Sequence, residues 1–81
     1  MTDVQLTEVI YKALGRIVPE ADLTLLPLDA NVRDTLDMDS FDHLQFLVHL
    51  SELLGVEVPE EDYGDLTTLA DIVRYLTVRV R

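Results

Sequence analysis

Apolar residues recur at steps of three and four positions in three separate stretches of the chain, and this spacing is the strongest constraint on its fold. In the first stretch the pattern consists of Leu6, Val9, Ile10, Ala13, Leu14 and Ile17. Such spacing places the side chains on one face of an α-helix, which is stable when that face is buried against another element. A chain of 81 residues suits one domain with one small core, and the absence of cysteine excludes a disulfide framework.

Capping residues mark where the first and last helices begin. Thr2 is placed to cap the first helix, and Gln5 three residues later completes a capping box. The last helix is predicted from about Thr68 to Val80, and Thr68 and Asp71 form a similar pair. Its buried face consists of Leu69, Ile72, Val73, Leu76 and Val80, and the basic residues toward its end are Arg74, Arg79 and Arg81. That placement of positive charge is favourable for the helix dipole.

The second helix is predicted to begin at Ser40. Asp39 is the natural N-cap residue, and Asp42 lies in the first turn, where the helix dipole favours negative charge. Gly55 is well placed to end the helix. The wide apolar surface of this helix consists of Leu44, Phe46, Leu47, Val48, Leu50, Leu53 and Leu54.

A long connection, residues 19–38, separates the first two helices. A loop of this length is uncommon in a compact domain unless it is anchored or functional. We expect its apolar residues to anchor it: Leu23, Leu25, Leu26, Leu28, Val32 and Leu36. A short third helix is expected after Pro59. The predicted fold class is all-α: a single domain over residues 1–81, built as a small antiparallel four-helix bundle of three main helices plus the short third helix, with a long loop between helices 1 and 2.

The net charge is −10, and it is unevenly spread: from Glu20 to Asp71 the chain has fourteen acidic residues and one basic residue, Arg33. Nucleic acid is not an expected partner, because binding phosphate groups needs clustered Lys or Arg. Proteins with basic surfaces are the expected partners.

The first residues lack the pattern of a secretory signal, and no stretch approaches the ~20 apolar residues of a membrane-spanning helix. We therefore expect a cytoplasmic monomer without stable membrane insertion.

The chemistry of Ser40 has several interpretations. Ser40 and His43 could share a helix face, but the serine is not in a Gly-x-Ser-x-Gly elbow and a bundle this small has little room for a substrate cleft, so we do not expect an enzyme. The acidic residues do not fit an EF-hand, and His43 and His49 point to different helix faces, so no specific metal site is expected.

A serine at a helix start is accessible, and free N–H groups there can bind a phosphate ester. The alternative is an acidic helical adaptor that binds proteins without a cofactor.

The segment "LDMDSFDHLQFLVHLSELLGVEVPEED" resembles the acyl carrier protein family around its Asp-Ser-(Leu/Phe) attachment motif. The resemblance extends over almost the whole chain, from the amphipathic first helix to "LTTLADIVRYL" in the last. It implies that Ser40 receives a 4'-phosphopantetheine group from coenzyme A through a separate phosphopantetheinyl transferase. The thiol of this arm would hold acyl, aminoacyl or aryl groups as thioesters and present them to acyl-loading and acyl-processing enzymes.

The resemblance also implies roles for the neighbours of Ser40. Asp39 would both cap the helix and take part in recognition. The residues expected to contact partner enzymes are Asp37, Met38, Phe41, Asp42, Leu44, Gln45 and Val48. Periodicity alone is equally consistent with a core position for Phe41 and Leu44, and Val48 could serve either a partner or the core.

The chain departs from the family pattern in two places. Many members have glycine two or three residues before the serine, where this chain has Met38 and Asp37. The second helix of fatty-acid carriers is often strongly acidic, whereas here Glu52 is the only acid of that helix after Asp42. Because of this lower charge, we consider a role in a dedicated biosynthetic pathway as well supported as a role in housekeeping fatty-acid synthesis.

Overall fold

The structure, a computed structural model, describes residues 1–80; Arg81, expected beyond the last helix, lies outside the described residues. The α-helices are α1 (Asp3–Gly15), α2 (Val32–Thr35), α3 (Ser40–Leu54) and α4 (Leu69–Arg79), and two 3₁₀ segments span Leu23–Leu25 and Glu60–Asp65. The predicted second and last helices are α3 and α4, and the second 3₁₀ segment takes the place of the predicted short third helix. The all-α helical-bundle prediction is therefore confirmed for residues 1–80, where none of the helices is long and apolar enough to cross a membrane.

Hydrogen bonds at both outer helices confirm the predicted caps. Thr2 Oγ1 accepts from Gln5 N at 3.1 Å, and Gln5 Oε1 accepts from Thr2 N at 2.9 Å. At the start of α4, Thr68 Oγ1 accepts from Asp71 N at 3.0 Å, and Asp71 Oδ2 accepts from Thr68 N at 3.4 Å. These caps satisfy N–H groups that have no partner inside their helices, which is why the helices begin there.

One core joins the three long helices. α1 contacts both α3 and α4. Burying an aliphatic or phenylalanine side chain contributes roughly 1.5–3 kcal/mol relative to leaving it in water, so the apolar faces hold the domain together. The most deeply buried residues of these helices are Leu6, Ile10 and Leu14 in α1, Phe46, Leu47 and Leu50 in α3, and Leu69, Ile72 and Leu76 in α4.

The long connection is anchored differently from the expectation. Leu25 is 76% exposed and Leu28 is 60% exposed, so the prediction that these two side chains anchor the loop was wrong. Backbone hydrogen bonds do part of that work, because Ala70 N donates to Leu28 O and Val32 N donates to Thr67 O, both at 2.9 Å. Such bonds tie the chain down without fixing where the side chain points. The buried or half-buried members of the predicted set are Leu23, Leu26, Val32 and Leu36.

The second 3₁₀ segment is tied to α4 by polar contacts. The Tyr75 hydroxyl donates to Asp62 Oδ2 at 2.6 Å, and Arg79 Nη2 lies 3.6 Å from the same oxygen. The Arg79 guanidinium also stacks over the Tyr75 ring, 3.6 Å from its centroid. These contacts hold a segment whose own residues include none that is fully buried.

Candidate functional site

The chain turns sharply between α2 and α3, immediately before Ser40. Asp37 has a φ of 54°, in the left-handed region where residues other than glycine are uncommon. The turn closes back on α2, because Met38 N donates to Arg33 O at 2.8 Å and Asp37 N donates to Asp34 O at 3.3 Å. Asp37 therefore takes the strained position at one of the two places where the resembled family often has glycine.

Ser40 is the first residue of α3, and its side chain is exposed. Asp39 is the N-cap, as predicted, and its Oδ1 accepts from Asp42 N at 2.8 Å. This cap leaves the N–H groups of Ser40 and Phe41 without an acceptor inside the helix. The positive end of the α3 dipole therefore lies at the Ser40 hydroxyl, where it favours an anion.

The Ser40 hydroxyl is hydrogen-bonded to a positively charged guanidinium group. Arg33 Nη2 donates to Ser40 Oγ at 2.8 Å, and Arg33 Nε donates to Met38 O at 3.3 Å. The sequence identified Arg33 only as the single base in an acidic region and assigned it no role. Its contact with Ser40 depends on the turn that folds α2 against the start of α3. The sequence alone therefore shows only that Arg33 is an isolated positive charge in an acidic region.

His43 does not form a catalytic pair with Ser40. Its Nε2 donates to Leu66 O at 3.3 Å, and its ring lies 6.3 Å from that of Phe46. The Ser40 hydroxyl instead accepts from Arg33, which is a donor and cannot act as a base. This geometry gives the hydrolase interpretation no support. Among residues 1–80, no three His, Asp or Glu side chains lie close enough together to hold a metal ion.

A cleft of about 510 Å³ opens next to Arg33, between the α2–α3 turn and the second 3₁₀ segment. Its walls combine a guanidinium, an amide, an imidazole, a phenol and a hydroxyl group. The residues that supply these groups are Arg33, Asn31, His43, Tyr63 and Thr67. Asp34, Met38 and Gly64 complete the lining, so the cleft presents both polar and apolar surface.

The residues expected to contact partners divide into two groups. Phe41 is 66% exposed, and Leu44 and Val48 are each 38% exposed, so three apolar side chains spaced along α3 reach the surface. Met38 is only 5% exposed and packs in the core, so its side chain is not available to a partner and that expectation is corrected. The turn that brings Arg33 to Ser40 points Met38 inward. Of the polar residues in the set, Asp37 is exposed, and Asp42 and Gln45 are half-buried.

Comparison with known proteins identifies the class of this protein. The family described as "Phosphopantetheine attachment site" matches residues 4–76. An acyl carrier protein of Rhodococcus erythropolis is 36% identical over 72 residues, covering 85% of this chain and 79% of its own length. An acyl carrier protein of Syntrophobacter fumaroxidans is 34% identical over 73 residues, covering 90% of this chain and 84% of its own length. The fold, the exposed serine and these matches together define a phosphopantetheine-binding carrier.

The chain belongs to the acyl carrier protein family. Its cofactor is accordingly 4'-phosphopantetheine, attached covalently. Members of this family are carriers rather than catalysts, and they interact with phosphopantetheinyl transferases and acyl-processing enzymes. Family membership decides against an adaptor that works without a cofactor.

Proposed function

We propose that Ser40 carries the 4'-phosphopantetheine arm and that the chain is a carrier of thioester-bound groups. The observation that carries this proposal is the exposed Ser40 hydroxyl at the first residue of α3, where Arg33 hydrogen-bonds to it. The chain has one other serine, Ser51. Ser51 is half-buried, and its hydroxyl donates to Val56 O at the end of α3. Of the two, Ser40 is the accessible one.

The residues around Ser40 fit the root of such an arm. The N–H groups of Ser40 and Phe41 and the positive end of the helix dipole favour a phosphodiester at this position. Asp39 fixes the first turn by capping it, so the hydroxyl is held at a defined place on the surface. When bound, the group supplies the thiol that a cysteine-free chain lacks, and acyl groups are held on that thiol as thioesters.

Attachment begins with attack of the Ser40 hydroxyl oxygen on the diphosphate of coenzyme A. A bond forms between Ser40 Oγ and the phosphorus that bears the pantetheine, and the bond from that phosphorus to the bridging oxygen breaks. Adenosine 3',5'-bisphosphate leaves with that oxygen. The hydroxyl proton passes to a base of the transferase, because the group that hydrogen-bonds Oγ in this chain, Arg33, is itself a donor.

The exposed side of α3 near Ser40 is the proposed docking surface for the transferase and for the loading and processing enzymes. An apolar strip there can fill the centre of an interface, and the surrounding carboxylates attract basic partner surfaces. Asp39 contributes both as the helix cap and as a recognition residue. The apolar strip consists of Phe41, Leu44 and Val48, and its polar surroundings consist of Asp37, Asp39, Asp42 and Gln45.

The cargo is proposed to be an acyl, aminoacyl or aryl group of a fatty-acid-like, polyketide or specialised biosynthetic route. One observation favours a dedicated pathway over housekeeping fatty-acid synthesis. Glu52 is the only acid of α3 after Asp42, so most of the helix presents little charge to a partner.

We further propose that this single domain, residues 1–81, acts as a monomer in the cytoplasm. The buried residues of the described chain form one core cluster, as expected for one domain. The net charge of −10 opposes self-association, and a chain without cysteine is compatible with a reducing compartment.

The test is intact-mass spectrometry after incubation with coenzyme A, magnesium and a broad-specificity phosphopantetheinyl transferase. We expect the wild type to gain one arm and Ser40→Ala to gain none. Ser51→Ala is the matched control, because it removes the other serine hydroxyl from the same helix, and it should gain one arm. Circular dichroism establishes that all three proteins are folded. An arm on Ser40→Ala, or a folded wild type that stays unmodified, would refute the proposal.

A further inference from the structure

Attachment of the arm at Ser40, on which this inference rests, creates an electrostatic problem. A phosphodiester adds negative charge at a position that already has carboxylates before and after it in the chain. Like charges this close raise the free energy of the modified protein, and the exposed helix dipole offsets only part of that cost. The neighbouring acids are Asp34, Asp37, Asp39 and Asp42. A positive charge within reach of the phosphate would lower this cost.

Arg33 is the group that meets this need. It is the only basic residue from Glu20 to Asp71, and its Nη2 lies 2.8 Å from the oxygen to which the phosphorus would be bonded. Both hydrogen bonds that its side chain makes within residues 1–80 go to uncharged oxygens, those of Ser40 and Met38. The ion pairs in that part of the chain involve Arg74 and Arg79 instead. The charge of Arg33 is thus not used by a carboxylate, although aspartates surround it.

Buried contacts and hydrogen bonds hold the backbone on both sides of Arg33 in place. The neighbouring Val32 is fully buried, and its N–H donates to Thr67 O at 2.9 Å. Asn31 caps the short helix, because its side-chain oxygen accepts from Asp34 N at 3.0 Å. A guanidinium on such a support loses less conformational entropy on binding an anion than one on a free loop.

We infer that Arg33 is the counterion of the arm's phosphodiester and positions the root of the arm against α2. On esterification, Ser40 Oγ loses its proton and becomes a bridging ester oxygen, while negative charge resides on the two non-bridging oxygens of the same phosphate. The guanidinium exchanges its bond to the hydroxyl for charge-assisted bonds to those oxygens, which are roughly twice as strong as neutral ones. Arg33 is a positioning residue and takes no part in bond making.

The test compares the unmodified and modified forms of four proteins: wild type, Arg33→Gln, Arg33→Lys and Arg16→Gln. Modification is driven to completion with excess transferase and coenzyme A and checked by intact mass. Arg16→Gln is the matched control, because it removes the same charge from an exposed arginine that contacts His49, nine residues along α3 from Ser40. The readouts are the change in unfolding equilibrium constant on modification and the ³¹P chemical shift of the phosphodiester.

In Arg33→Gln, we expect modification to raise the unfolding constant about threefold to tenfold more than it does in the wild type, because the added charge has no counterion. Its ³¹P signal should move toward that of the urea-unfolded protein. Arg33→Lys should restore part of both effects, and Arg16→Gln should match the wild type. The difference should shrink in 1 M salt, where screening acts over about 3 Å.

Equal responses to modification in the wild type and Arg33→Gln, with the same ³¹P shift, would overturn the inference and leave Arg33 as a residue of the turn only. It would also be overturned if Arg33→Gln resisted complete modification while Arg33→Lys accepted it, since Arg33 would then act on the transferase. A wild type that gains no arm would instead refute the attachment at Ser40, so the two failures are distinguishable.

Discussion

Phe41 and Phe46 lie on the same helix, yet 66% of Phe41 is exposed and Phe46 is fully buried. Five residues turn the helix by more than one revolution, so the two rings point to different sides, one to solvent and one to the core. The exposed ring belongs to the proposed docking surface of α3, and the buried ring belongs to the core of the domain.

We expect Phe41→Ala to change the free energy of unfolding by no more than about 0.5 kcal/mol, whereas Phe46→Ala should lose about 3–5 kcal/mol. Urea unfolding followed by circular dichroism measures both values. Phe41→Ala should nevertheless slow modification by the transferase, because an exposed aromatic contact is lost. Wild-type modification kinetics in this variant would remove Phe41 from the docking surface.

Asp37 offers a test of the turn before Ser40. With a φ of 54°, an L-residue here is strained by roughly 1–2 kcal/mol, and glycine would relieve this at the cost of a more flexible unfolded chain. We expect Asp37→Gly to stabilise the protein, raising its melting temperature by a few degrees. Asp37→Asn controls for the lost charge and should gain less. A melting temperature for Asp37→Gly below that of Asp37→Asn would contradict this account.

Asp71 makes stability depend on pH at the acidic end. The hydrogen bond from the Thr67 hydroxyl, and after it the hydrogen bonding of Thr68, hold the pKa of Asp71 below its usual value. A carboxyl with a lowered pKa in the folded state contributes stability that is present above the unfolded pKa and lost as pH falls through the folded one. Asp71→Asn should therefore be less stable than wild type at pH 7, and the gap should narrow below about pH 4. Urea unfolding midpoints of both proteins, measured from pH 7 to pH 3, test this prediction. A stability difference between wild type and Asp71→Asn that stays constant over this range would contradict it.

Tyr75 makes the stability of the protein depend on pH under alkaline conditions. Burial, and then the hydrogen bond to Asp62, raise the pKa of the Tyr75 hydroxyl. A raised pKa contributes stability that is present below the unfolded value, about 10, and is lost as pH rises toward the folded one. Tyr75→Phe should lose about 1 kcal/mol at pH 8, and its difference from wild type should diminish above pH 10. If urea unfolding shows the same difference at pH 8 and pH 10.5, the Tyr75–Asp62 contact is not the cause.

Self-repulsion among the acidic residues should make stability sensitive to ions. The fourteen acids and one base from Glu20 to Asp71 include many exposed carboxylates. Moderate salt screens such repulsion, and millimolar magnesium neutralises it locally. We expect either addition to raise the melting temperature of the unmodified protein, as measured by differential scanning calorimetry. A flat response to both would show that repulsion contributes little to its stability.

The features that the sequence predicts correctly depend on interactions between residues that are close together in the chain. The caps at Thr2, Asp39 and Thr68 and the left-handed Gly55 act over three or four residues, so the amino-acid order alone specifies where the helices begin and end. Helical periodicity likewise identifies the three apolar faces. The position of Ser40 at the start of α3 belongs to this group, and so does the acidic character around it.

Contacts between segments were decided by the tertiary structure. Whether Leu25 and Met38 face solvent or core depends on how the long connection is tied to α4 and how the chain turns at Asp37, and no short-range pattern encodes this. The Arg33–Ser40 hydrogen bond likewise exists because that turn folds α2 back on the start of α3. Sequence alone determined which hydroxyl is available and how negative its surroundings are, since these follow from composition and short-range hydrogen bonding. Which positive charge stands beside that hydroxyl was settled only by packing, because it requires two segments to be brought together in space.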